Sequence, residues 1–149
     1  MPSPRFAPRV ISGIDAVRYF GIRAGVRPHR FIAIWAVSVD GRVFVRSWDA
    51  RPGGWYHTLL ADPRGVLQVG SRTVRVRARR VRGERLLDAI DAAYAAKYRT
   101  PGSIKYVRGF SRPPRRARTI ELIPAAPPPR PVTSPGTPRR TRSTSRAAS

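Results

Sequence analysis

Asp40-Gly41 stands between two runs rich in Val, Ile, Phe and Trp, FIAIWAVSV and RVFVRSW. A two-residue turn needs positive φ at both central positions, which Asp tolerates and Gly adopts freely, so the dipeptide predicts a tight antiparallel hairpin. Such a turn also sets the register: Val39 faces Arg42, Val37 faces Phe44, Trp35 faces Arg46 and Ala33 faces Trp48. These residues share one face. The opposite face carries Ile34, Ala36, Ser38, Val43, Val45 and Ser47, small or branched side chains suited to the inside of a small barrel. The first face puts an arginine between two tryptophans. That is too large and too charged for a small interior, and suits a planar ligand, a partner or a second subunit.

With 149 residues the chain has room for one domain and one core. Residues 1–10 read as a flexible lead-in, 11–123 as the folded domain, and 124–149, rich in Pro, Arg, Ser and Thr, as a disordered tail. Ser12 is the expected cap of a short helix that Gly21 stops, followed by a loop to Arg30. After the hairpin, residues 49–54 form a turn and Trp55–Ala61 a short helix ended by Asp62-Pro63. Val66–Val69 and Arg72–Val81 read as a second hairpin through Gly70-Ser71. Glu84–Tyr98 is the strongest helix, with an apolar stripe of Leu87, Ile90, Tyr94 and Tyr98 that should pack on the barrel. Residues 103–116 read as a basic connection and Thr119–Ile123 as a last strand.

The charge is strongly one-sided: 30 basic residues against 8 acidic, a net of +22, with 28 arginines and 2 lysines. Polyanion or nucleic-acid binding is one reading, because Lys and Arg placed on phosphates release counterions. Arg75, Arg77 and Arg79, alternating with Val74, Val76 and Ala78, would carry it with the five arginines of the tail. The same row is what a solvated outer strand face shows, and arginine enrichment also accompanies GC-rich coding sequence. There is no cysteine, which excludes disulfides, thiolate nucleophiles and cysteine metal clusters. With only His29 and His57 beside scattered acids, no metal is expected. No apolar run approaches the roughly 18 residues of a membrane helix, so a soluble, cytoplasmic protein without a membrane partner is expected.

No nucleophile elbow or spaced Ser/His/Asp set is present. Asp88 and Asp91 pair on one helical face, where the first half of a helix ordinarily places acids. What the residues do permit is a cofactor that carries its own reactivity. A flavin-type cofactor needs a phosphate site of arginine, hydroxyls and backbone amides, and a planar apolar wall. Arg46, Ser47, Trp48, Trp55 and Tyr56 meet those needs within eleven positions. Gly54, with Arg51 and Gly53, opens the helix at Trp55 and offers amides to an anion.

The run IWAVSVDGRVFVRSWDARPGGWYHTLLADPRG, the VGSRTVRVRARRV hairpin, IDAAYAAKY and TIELIP together resemble domain-of-unknown-function family twenty-two fifty-five, over residues 31–124. That family is placed with the FMN-binding split barrels, similar to pyridoxamine phosphate oxidases and deazaflavin-dependent reductases. The resemblance implies a mainly β fold with flanking helices, a six-stranded or similar split barrel, FMN or a deazaflavin coenzyme, and a homodimer with the cofactor at the subunit boundary. It also implies an oxidoreductase activity. Trp35, Arg46, Ser47, Trp55, Tyr56, Tyr94, Lys97 and Tyr98 match the family's motifs. The expected cofactor set is therefore Trp35, Arg46, Ser47, Trp48, Gly54, Trp55, Tyr56, Lys97 and Tyr98. Trp48 and the Asp49-Ala50-Arg51-Pro52 insertion depart from the family pattern.

Overall fold

In the computed structural model, which describes residues 4–25 and 29–125, the Asp40-Gly41 turn is the predicted one. Asp40 has φ 52° and Gly41 φ 75°, the two left-handed positions of a type I′ turn. It joins β3 (Ala36–Val39) to β4 (Arg42–Arg46), and the register pairs Val39 with Arg42 and Val37 with Phe44. The pairing stops at Ala36–Val45. The expected Trp35–Arg46 and Ala33–Trp48 pairs do not form, because the chain changes partner at Trp35. Upstream of it, β2 (Ile32–Ile34) pairs with β1 (Phe20–Ala24) instead.

That change of partner closes the barrel. The sheet order is β2-β1-β5-β6-β7-β4-β3, with β5 Arg64–Val69, β6 Arg72–Arg80 and β7 Thr119–Pro124, and every pairing is antiparallel. The two ends of this order, β2 and β3, are successive pieces of one strand bent at Trp35. Seven strands thus make a nearly closed barrel, and counting the bent strand once gives six.

The inside is filled as the hairpin pattern requires. Ile34, Ala36, Val43 and Val45 join Ile22, Leu67, Val76, Ile120 and Leu122 in one core, which also takes Phe6 and the apolar faces of two helices. These are α1 (Pro8–Ala16), through Val10 and Ile14, and α2 (Trp55–Ala61), through Tyr56 and Leu59. Ser47 is also buried, while Ser38 is only half-buried and donates to Asp15. A second core lies outside the barrel wall. There Val37 and Phe44 meet α3 (Glu84–Lys97) through Leu87, Ile90, Tyr94 and Tyr98, the stripe read from the sequence, together with Phe110 of α4 (Pro101–Phe110).

Three segments differ from expectation. The first helix starts at Pro8 rather than after Ser12, with proline in its first turn, where its missing N–H costs nothing. Residues 20–24, expected as helix end and loop, form β1 with Phe20 and Ile22 in the core. Residues 101–110, expected as connection, form α4: Pro101-Gly102 ends α3 and also supplies the proline that starts the next helix. Residues 126–149 of the expected tail and 26–28 of the expected loop lie outside the described residues.

Candidate functional site

Where β4 ends and the bent strand turns, side chains from five parts of the chain enclose an open pocket of about 320 Å³. Its walls are Trp35, Trp48, Trp55, Tyr106 and Phe110, with Tyr19, Ala33, Ile34 and Arg46. It holds no carboxylate, histidine or lysine among these residues.

Each wall has a local cause. Trp35 sits at the strand break. Its ring stacks on Tyr98 with centroids 4.1 Å apart and planes 8° from parallel, and its carbonyl accepts from the Tyr94 hydroxyl. Tyr106 and Phe110 stand one helical turn apart on α4 and meet Trp35 edge-on at 6.3 and 5.9 Å. Trp48 leans on the same two rings and is 37% exposed. The helix lets it in at Gly109, where a Cβ would stand 2.5 Å from the Trp48 Cη2. The Arg115 guanidinium lies 3.6 Å from the indole centroid and donates to the Trp48 carbonyl.

Arg46 corrects the expectation that the Trp-Arg-Trp face is too charged to bury. It is 2% exposed because folded partners surround it. Its Nε donates to Thr119 Oγ1 at 2.7 Å, and its Nη1 donates to Asp91 Oδ1 at 2.6 Å and to the Phe110 carbonyl at 2.8 Å. The last bond places a cation on the C-terminal end of α4, where the helix dipole favours it. Asp91 offers its other oxygen to Arg116, which also pairs with Glu84 and Asp88. The acids of α3 are thus held by arginines rather than set out as a catalytic pair. Arg46 Nη2 is the one buried side-chain nitrogen or oxygen, among the described residues, without a hydrogen-bond partner. Leaving such a donor unsatisfied costs roughly 1–3 kcal/mol.

Of the nine residues expected to hold a cofactor, Trp35, Arg46, Trp48 and Trp55 line this pocket and the other five do not. The Ser47 hydroxyl donates to the Asp49 carbonyl. The Gly54 amide donates to the Arg51 carbonyl, and the helix it opens has seven residues. Tyr56 is in the barrel core. Tyr98 and Lys97 are placed behind the Trp35 wall and brace it. The Tyr98 hydroxyl accepts from the Ala36 N–H at 3.2 Å and donates to the Arg18 carbonyl at 2.6 Å. Lys97 Nζ donates to the carbonyls of Ile14 and Ala36 at 2.6 and 2.8 Å. Burial lowers the Lys97 pKa to about 8 and raises the phenols of Tyr94 and Tyr98 well above the usual tyrosine range. Both tyrosines therefore act as neutral hydrogen-bonding groups.

Tyr19, Ala33, Ile34, Tyr106 and Phe110 line the pocket without having been singled out for it. For Tyr106 and Phe110 a signal existed in their spacing of four residues behind Pro101, once that proline is read as a helix start. On the far side of the sheet Arg75, Arg77 and Arg79 are exposed in a row. Arg79 pairs with Glu121, which also takes a two-bonded contact from Arg42. Burial alone would raise the Glu121 pKa, but these two guanidiniums outweigh it and leave it lowered. Among the described residues there is no group of three or more potential metal ligands, and no helix is long and apolar enough to cross a membrane.

The fold is similar to that of the conserved hypothetical protein Rv2991 from Mycobacterium tuberculosis, with 14% identity and a TM-score of 0.54 over 85% of this chain and 84% of that one. An FAD-binding protein from Mesorhizobium loti aligns over 82% of this chain and 91% of its own, at 15% identity and a TM-score of 0.49. No curated protein matches the sequence. The model of one family spans residues 10–122, most of the barrel and its helices, and the chain belongs to that family, the uncharacterized proteins conserved in bacteria (DUF2255).

Proposed function

We propose that the aromatic pocket binds the planar ring of a flavin-type cofactor, FMN or a deazaflavin coenzyme, and that the barrel is the scaffold of an oxidoreductase. The observation that carries this reading is the composition of the walls: six aromatic side chains, with Arg46 among the other lining residues, around about 320 Å³. That is near the lower end of ligand pockets, which span roughly 300–1,000 Å³ and pair apolar walls with a few polar groups. A fused three-ring plane suits such a slot. The phosphate end fits differently from the sequence expectation, because Arg46 is enclosed and already committed to Thr119, Asp91 and Phe110. Arg115 over Trp48, and Arg18, whose guanidinium stands 5.9 Å from the Tyr19 ring, are the cations beside rim residues that would meet a phosphate.

Hydride transfer would belong to the bound ring, and the chain's part is to hold it and exclude water. The rim residues Tyr19, at 61% exposed, Ile32 and Trp48 leave an apolar border that a second subunit would cover in a homodimer. The test is a titration of the full chain with FMN and with a deazaflavin coenzyme, read by absorbance and by quenching of tryptophan fluorescence. Saturable binding that a Trp48→Ala change weakens is the expected result. Failure of both cofactors to bind at any concentration up to the millimolar range sinks the reading.

A further inference from the structure

We propose that the outer face of β5 and β6 binds the phosphate backbone of a double-helical nucleic acid through Arg64, Arg75, Arg77 and Arg79, a function separate from that of the aromatic pocket. The register brings these four guanidiniums together. Arg64 lies opposite Arg77, and Arg75 and Arg79 flank Arg77 at two-residue steps on the same face, each about 7 Å along the strand. All four residues are exposed. The helices pack elsewhere, α1 and α2 into the barrel core and α3 and α4 onto Val37, Phe44 and Val81.

A solvated strand face ordinarily mixes both signs of charge, and like charges set directly opposite each other are destabilising. Here β5, β6 and β7 together carry six arginines and one acid, Glu121. Glu121 is shared by Arg42 and Arg79, and Asp62, just before β5, is held by Arg64. Arg77 acts on Asp62 only through its field, and among the described residues no carboxylate forms an ion pair with Arg75 or Arg77. What the face lacks is anions, and a duplex backbone supplies one per roughly 1.7 Å of its axis. Guanidiniums suit it because their fork bonds two phosphate oxygens at once. Single strands and membranes fit less well. The three strands bear no aromatic residue on which an unpaired base could stack. None of the exposed large hydrophobic side chains that a membrane would take up belongs to them.

The test compares two charge-matched double variants of the full chain: Arg75→Gln with Arg77→Gln on the face, and Arg99→Gln with Arg108→Gln beside the groove between α3 and α4. All four positions are exposed, so neither change disturbs a core, and the pocket is untouched, so the result is independent of the cofactor reading. Binding of a fluorescein-labelled DNA duplex of mixed sequence is followed by anisotropy over a salt series. Wild type and the Arg99/Arg108 variant should agree within about two-fold, while the face variant binds at least about five-fold more weakly, its salt slope shallower by about 1.8 for two lost phosphate contacts. Equal weakening of both variants, or no saturable binding at low salt, overturns the proposal. Tighter binding of the same sequence as a single strand, or release of the duplex by phosphatidylserine vesicles at equal phosphate, overturns it as well.

Discussion

Replacing Tyr98 with Phe removes one oxygen and keeps the ring that stacks on Trp35, so it isolates the bracing of the bent strand. In a hairpin closed by a two-residue turn, Val39–Arg42 and Val37–Phe44 are the hydrogen-bonded pairs, and Ala36 then points its N–H and C=O away from β4. Both are taken at the C-terminal end of α3: the N–H by the Tyr98 hydroxyl, the carbonyl by Lys97 Nζ. Ala36 is 0% exposed, so in Tyr98→Phe its carbonyl keeps Lys97 but its N–H has no replacement. An unsatisfied buried donor costs roughly 1–3 kcal/mol, and the lost bond to the Arg18 carbonyl adds about 1 kcal/mol. A total of about 2–4 kcal/mol corresponds to a fall in Tm of roughly 6–20 °C for a domain of this size. The assay is thermal unfolding followed by circular dichroism, with Tyr106→Phe as its control. The Tyr106 side chain is 41% exposed and should tolerate the same chemical change within about 0.5 kcal/mol. A Tyr98→Phe chain that melts within about 2 °C of wild type would refute the claim that α3 holds the strand edge.

Two other perturbations separate stability from the site. In Gly109→Ala the new Cβ collides with the Trp48 indole, and that exposed ring swings away more cheaply than the helix breaks. Stability should therefore stay within about 1 kcal/mol, helped by the better helix propensity of alanine, while flavin-type ligand affinity falls by about ten-fold; unchanged affinity together with unchanged tryptophan emission would show that Trp48 does not form the wall. Lys97, with its pKa lowered to about 8 from an unfolded value near 10.5, takes up its proton more readily in the unfolded chain. Its contribution to stability therefore rises as pH climbs from about 8 towards 10.5, by about 1–2 kcal/mol after allowance for its partial exposure. Urea unfolding of wild type and Lys97→Met across that range should show the difference moving in favour of wild type, and parallel curves would contradict it.

The parts of this fold that were legible from the residues are those set by neighbours in sequence. Asp40-Gly41 determined a turn and the first four pairs of its register, and the spacing of Leu87, Ile90, Tyr94 and Tyr98 determined a helix face. The parts that were not legible depend on distant partners. Phe31 to Val39 reads as one continuous strand, and only the competing pairings, β1 on one side of Trp35 and β4 on the other, break it. Gly21 looks like a helix stop, yet β5 recruits it into a strand opposite Gln68. Arg46 was recognisable as important but not as buried, because Asp91 and Thr119, which make its burial tolerable, lie 45 and 73 residues away. The site shows the same division. Its tryptophans were visible, whereas Tyr106 and Phe110 arrive through α4, a helix hidden behind a proline that reads equally well as a terminator.

The bend at Trp35 has a further consequence, for how molecules of this protein meet one another. A strand with a bare row of amides and carbonyls invites a strand from another chain to add to it. Here the two ends of the sheet are one continuous segment, β2 and β3 are three and four residues long, and the outward groups of Ala36 are already engaged by Lys97 and Tyr98. At Ala36, therefore, the outward backbone is closed to another strand. A second chain approaching at that point would meet side chains instead, the aromatic rim around Tyr19, Trp48 and Tyr106, at the mouth of the pocket.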